Sequence, residues 1–175
     1  RTRCRPSRSV TTRLTPSSGR STTAPVTSRP STITISTGGR RRRVKLLVDT
    51  SALLALMMPR DRHHARAARF VRDSPHARFV LTELILAETV TRARARGSAE
   101  QAVATADRLL RSRRYELVLL DEDLLREALE QMTRFADKRL SLTDCASCAL
   151  MERLGLAAAF SFDSDFRNCG YQMVP

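Results

Sequence analysis

Val44-Lys45-Leu46-Leu47-Val48-Asp49-Thr50-Ser51-Ala52-Leu53-Leu54-Ala55-Leu56-Met57-Met58 is the stretch on which the fold of this chain turns. Val44–Val48 is an apolar run of strand length. Asp49-Thr50-Ser51 breaks it, Ala52–Met58 continues as a helix, and Pro59 stops that helix. A strand that runs straight into a helix, with an acid at the junction, is the opening of an α/β unit.

Outward toward the C-terminus the alternation continues. His64–Asp73 reads as a helix and Phe79–Leu81 as a strand. Thr82 caps a helix that runs to about Arg96 and ends at Gly97. Ser98 then caps a helix with Ala99, Ala102, Val103, Ala106, Leu109 and Leu110 on one face. Leu117–Leu120 reads as a strand, and Asp121 opens a helix with Leu124, Leu125, Ala128, Leu129, Met132 and Phe135 on one face. A helix over Thr143–Leu154 closes at Gly155, and Ala157–Phe162 and Tyr171–Val174 read as the last strands. Strands alternating with amphipathic helices predict a three-layer α/β domain with a mostly parallel sheet over residues 44–175.

Outward toward the N-terminus the texture is different. Residues 1–43 hold 11 Arg, no Lys and no acid, in a setting of Ser, Thr and Pro with isolated aliphatics. Such a segment cannot bury enough to offset its ordering entropy and is expected to be a disordered tail. Its composition is that of an organellar transit peptide, or of chain upstream of the true start, and the second reading is favoured. The net charge of +13 resides mostly there, because 44–175 carries 20 basic residues against all 18 acids. The charge of the folded part is thus weak evidence for a nucleic-acid partner. No apolar run approaches the ~18–20 residues that span a bilayer, which excludes a membrane protein.

Cys4, Cys145, Cys148 and Cys169 are too few and too scattered for a disulfide framework and fit a reducing cytoplasm. Cys145-x-x-Cys148 lacks a second ligand pair at zinc spacing among His63, His64 and His76, so these thiols are expected to be buried on a helix.

Four acids stand where a fold alone does not want them. Asp49 and Asp163 each end an apolar strand, and in a parallel sheet the C-terminal strand ends face the ligand crevice. Asp49 is equally well read as a helix N-cap. Glu88 projects between Leu84 and Ile85 toward the core or its rim, where a carboxylate needs a metal or an arginine. Asp144 lies in a helical first turn, which favours acids in any case. Asp165 is a turn former or a fifth carboxylate. A carboxylate cluster without His or Cys suits a hard cation, Mg²⁺ or Mn²⁺, and such an ion on a phosphate implies phosphodiester hydrolysis.

Val44–Leu56 resembles the opening of PIN domains, especially the VapC toxins of bacterial toxin–antitoxin pairs. Thr82–Val90 is similar to the family's segment with a helix-borne Glu, here Glu88. Leu140–Ala146 resembles the stretch with its third acid, Asp144, and Phe160–Phe166 the last motif, with Asp163 fourth. Ser161 stands where the family often has Thr. The resemblance covers 44–175 and leaves the tail without a counterpart. It implies a Rossmann-like sheet, one or two Mg²⁺ or Mn²⁺ ions, endonucleolytic cleavage of RNA, homodimers and a VapB-like antitoxin. It further implies that Asp49, Asp144 and Asp163 hold metal, with Asp165 as an extra ligand, and that Glu88 positions metal or the attacking water. Thr50, Ser51 or Ser161 are candidates to orient a water, although capping accounts for Thr50 and Ser51 equally. Arg92, Arg94 and Arg96 are candidates for RNA phosphate, with solvated helix charges as the preferred reading. A PIN nuclease of RNA processing, and a catalytically silent PIN-like binding module, are the alternatives.

Overall fold

The computed structural model describes residues 44–175; the expected tail lies outside the described residues. The elements are β1 (Lys45–Val48), α1 (Thr50–Met57), α2 (His64–Asp73), β2 (Arg78–Thr82), α3 (Glu83–Arg96) and α4 (Ala99–Arg111). They continue with β3 (Tyr115–Val118), α5 (Glu122–Arg134), α6 (Leu142–Leu154), β4 (Ala158–Phe160), α7 (Asp165–Asn168) and β5 (Gln172–Val174). All five strands are parallel, in the order β3-β2-β1-β4-β5, and helices flank the sheet. The chain winds from β1 to one side through β2 and β3, then returns to the other side with β4 and β5. The crevice between the C-terminal ends of β1 and β4 is therefore a topological switch point, the place where open α/β sheets bind ligands.

The core explains the central position of β1. Leu47 and Val48 are fully buried, as are Phe79, Val80, Ala159 and Phe160 on the adjoining strands. Phe160 packs its ring 4.8 Å from Phe70 and 5.6 Å from Phe79. Each of the larger side chains among these contributes about 1.5–3 kcal/mol on burial. Cys145 and Cys148 lie buried on α6, as expected. Arg114 ties the far side together: its guanidinium donates to the carbonyls of Ala77, Val71 and Ser74 and lies over the Phe79 ring.

Helix starts follow their caps. Asp49, Thr82, Ser98, Asp121 and Ser141 each accept a first-turn amide. Gly155 closes α6 in the left-handed region at φ 62°, where a side chain is strained.

Three elements differ from expectation. β4 covers only Ala158–Phe160 of the expected 157–162, so that Asp163 follows its end by three residues. β3 begins at Tyr115 rather than Leu117, pairing Tyr115 with Phe79 and Glu116 with Val80. The Leu120 amide is taken instead by the Glu83 carboxylate at 2.8 and 3.1 Å, which ends the ladder and leaves Leu119 exposed. The third is α7, a single helical turn over Asp165–Asn168 where the sequence offers only a turn former at Asp165.

Candidate active site

With no loop between β1 and α1, Asp49 sits at the strand's exit and caps the helix in one conformation, at φ −94° and ψ 161°. Its Oδ2 accepts the Ser51 amide at 3.1 Å, the Ser51 hydroxyl at 2.6 Å and the Ser161 hydroxyl at 2.9 Å. Those hydroxyls in turn accept backbone amides from the exit of β4, Phe162 N–H on Ser51 Oγ and Asp163 N–H on Ser161 Oγ. Two parallel relays therefore run from the β4 exit to one carboxylate oxygen. Asp49 is only 6% exposed. Burial pushes its carboxyl above the ordinary value, against the pull of the serine hydrogen bonds. None of the ion pairs among the described residues includes it. The structure shows Asp49 as the N-cap of α1 and as a buried acid in no ion pair among the described residues.

The relay through Ser161 predicts its own loss. Ser161→Ala removes a donor to Asp49 and the acceptor of the Asp163 amide together. It should cost about 1–3 kcal/mol in a denaturant melt, whereas Ser161→Thr, which keeps the hydroxyl, should melt like the wild type.

Glu88 is held from two sides at the rim of the core. Thr50 Oγ1 donates to Oε2 at 2.9 Å, and Arg92, one turn on, forms an ion pair with Oε1. The arginine pairing anticipated for Glu88 thus exists, but Thr50 also aims the carboxylate toward the β1 exit. The Thr50 hydroxyl serves Glu88, and the Ser51 hydroxyl serves Asp49; the N-cap itself is Asp49.

The remaining acids gather from α6 and from the segment after β4. Asp144 closes a capping box with Ser141, whose amide and hydroxyl both donate to Oδ2, at 2.8 and 2.6 Å. Asp163 is exposed and accepts the Asp165 amide on Oδ1 at 3.2 Å. Asp165 is held above its ordinary value first by burial, then by the charges of Asp163 and Asp144. Asp165 therefore lies within electrostatic reach of both Asp163 and Asp144. Among the described residues, however, no three His, Cys, Asp or Glu side chains converge closely enough to hold one ion. The donor chemistry fits a hard divalent cation: every candidate ligand is an oxygen, Asp49 is buried in no ion pair among the described residues, and Asp165 is raised in part by the charges of Asp163 and Asp144. Ligation through Oδ2 of Asp144 would compete with its capping bonds.

Beside these acids opens a cleft of about 410 Å³, lined in part by Ser51, Asp163, Phe162, His63, Arg92 and Arg96. Of the three arginines singled out in the sequence, Arg92 pairs with Glu88, Arg94 turns back to the Gly97 carbonyl, and Arg96 lines the cleft. His63 and Phe162 escaped the sequence reading as site residues. The sequence presents His63 only among histidines without zinc spacing and Phe162 only as the end of an apolar run. The available signal was an aromatic residue directly before Asp163.

The PIN domain profile matches residues 46–170, the span that holds all of these acids. The chain belongs to the PIN domain family. A PIN-family relative, the 23S rRNA-specific endonuclease VapC20 of Mycobacterium tuberculosis, is 33% identical over 130 residues, covering 74% of this chain and 97% of that one. The crystal structure of that protein, described as a sarcin–ricin loop cleaving toxin, superposes with a TM-score of 0.67 at 30% identity. It covers 72% of this chain and 95% of its own. VapBC2 from Rickettsia felis, bound to a promoter DNA fragment, shares the fold with a TM-score of 0.54 at 14% identity, over 75% of this chain and 98% of its own. The parallel PIN sheet and the α/β class are as the sequence predicted.

Proposed function

We propose that this PIN domain is the ribonuclease toxin of a VapBC-type pair, hydrolysing RNA phosphodiester bonds with Mg²⁺ or Mn²⁺. The observation that carries the reading is Asp49, a buried carboxylate at the sheet's switch point, wired to the β4 exit and in no ion pair among the described residues. Asp49, Asp144 and Asp163 would hold the ion, with Asp165 as a further ligand. A bound divalent ion supplies Lewis acidity at phosphorus and a lowered pKa for bound water. Glu88, fixed by Thr50 and Arg92, would position the metal or the attacking water, whose proton passes to solvent as its oxygen adds to phosphorus. The bond from phosphorus to the leaving oxygen then breaks, and that oxygen takes up a proton.

By kinship with VapC20, the proposed substrate is the sarcin–ricin loop of 23S rRNA. A VapB-like antitoxin is the proposed protein partner and the cytoplasm the proposed site of action. Among the described residues no helix is long and apolar enough to cross a membrane. Exposed Leu125, Leu129 and Met132 follow one another along one side of α5, and they support the proposed homodimer.

The test incubates the full chain with ribosomes and with a sarcin–ricin hairpin in Mn²⁺ or Mg²⁺. Cleavage should vanish in EDTA and fall about 10³-fold in Asp144→Asn. Equal cleavage by wild type and Asp144→Asn would sink the reading.

A further inference from the structure

The cleft beside the acids has a wall that none of the hydrolytic roles uses. His63 and Phe162 lie face to face, with ring centroids 4.3 Å apart and planes 8° from parallel. Phe162 is held in place from both ends. Its amide donates to Ser51 Oγ at 3.0 Å, inside the Asp49 relay, and Asp163 follows it directly. Arg66 lies over the Phe162 ring at 5.9 Å while donating to the Pro175 carbonyl. His63 is held by the turn between α1 and α2. Its amide donates to Asp61 Oδ1 at 2.8 Å, and Arg62 Nε donates to its Nε2 at 2.9 Å. The neighbouring His64 bonds the Ala55 carbonyl through Nδ1 at 2.8 Å, anchoring the turn to α1. The stack is therefore a fixed surface, one residue from a proposed metal ligand.

The charges around it complete a pattern. Arg62 and Arg96 line the same cleft, and Arg96 enters no ion pair among the described residues. A rigid aromatic plane, guanidinium groups and a space of about 410 Å³ match a nucleotide: the plane stacks a base, and the guanidinium binds its phosphate. We infer that His63 and Phe162 form the base-stacking wall of a subsite for the nucleotide next to the scissile phosphate, with Arg96 holding that nucleotide's backbone. This deepens the ribonuclease reading and rests on it.

The test measures binding in EDTA, so that cleavage plays no part. Fluorescence anisotropy of the full chain is recorded with a labelled sarcin–ricin hairpin, and with versions carrying one abasic residue at each loop position. One abasic position should weaken wild-type binding about tenfold, within the range of stacking one base on an aromatic ring. His63→Ala should weaken binding of the intact hairpin by a similar factor, with no further loss on that abasic RNA. Phe162→Leu, which keeps an apolar side chain in the partly buried position, should give the same signature. Arg96→Gln should weaken intact and abasic RNAs equally, with a shallower salt dependence. The inference is overturned if wild type binds every hairpin alike, binds none, or if His63→Ala loses affinity uniformly across the set. Cleavage of the intact hairpin in Mn²⁺ is scored separately. Its absence alongside the predicted coupling would remove the nuclease and leave the subsite, and the reverse result would do the opposite.

Discussion

Asp49→Asn is expected to abolish RNA cleavage, by about a thousandfold or more, and at the same time to make the metal-free protein more stable at neutral pH. The two effects share one cause. Asparagine keeps a carbonyl oxygen where Oδ2 accepts the Ser51 amide and the Ser51 and Ser161 hydroxyls, so both relays to the β4 exit survive. What disappears is a negative charge at 6% exposure that enters no ion pair among the described residues. Burial is the largest influence on this carboxyl and raises it above 3.8 in spite of the hydrogen bonds. A carboxyl raised on folding binds its proton more tightly in the folded state. Its stabilising contribution is complete below 3.8 and is lost as pH rises through the folded value. At neutral pH the wild type therefore carries a buried carboxylate at a cost, and the variant does not.

Thermal melts in EDTA should show the variant and wild type close together in acid, with the variant gaining about 1–2 kcal/mol, a few degrees in Tm, toward neutral pH. A variant less stable than wild type at neutral pH would mean that the hydrogen bonds to a charged oxygen outweigh its desolvation. Asp49 would then be a structural cap first, and the case for a missing cation would lose its strongest support.

The readability of this site from sequence follows its distances along the chain. The place of Asp49 at the exit of β1 was legible because a strand-ending acid is a local pattern, whereas β4 ends at Phe160 and Asp163 follows it by three residues. The helix starts at Thr82, Ser98 and Asp121 were legible for the same reason, since a cap and its amide partner lie within three residues. The shifted β3 was not, because the acceptor that ends it, Glu83, comes from 37 residues upstream. Nor was the bond from Thr50 to Glu88, which settles what that hydroxyl does, or the stacking of His63 on Phe162. Asp144 shows the limit of spacing alone. A first-turn acid is both a capping-box partner and a candidate ligand, and the structure places it in the first role, bonded to Ser141.

Binding of Mn²⁺ to the metal-free protein should weaken steeply as pH falls, and Asp165 should account for part of the slope. Protonated carboxyls do not ligate, so each proton that the ion must displace changes the apparent affinity by up to about tenfold per pH unit. An unperturbed carboxyl site would lose this dependence just above 3.8. Here Asp49 and Asp165 are both raised, the first by burial, the second by burial and by the charges of Asp163 and Asp144. The dependence should therefore extend to higher pH than for free carboxylates and flatten only once both groups have lost their protons. Calorimetric titrations from acidic to neutral pH, in buffers of different ionisation enthalpy, would count the protons released. Asp165→Asn removes one titrating group and one repulsive partner of Asp163. It should lower neutral-pH affinity by about tenfold, on the scale of losing a supporting ligand, and release fewer protons in acid. Unchanged affinity and proton count would exclude Asp165 from the ion's surroundings and confine the site to Asp49, Asp144 and Asp163. A pH-independent affinity for the wild type would be more serious, because Mn²⁺ would then be binding away from the raised carboxyls altogether.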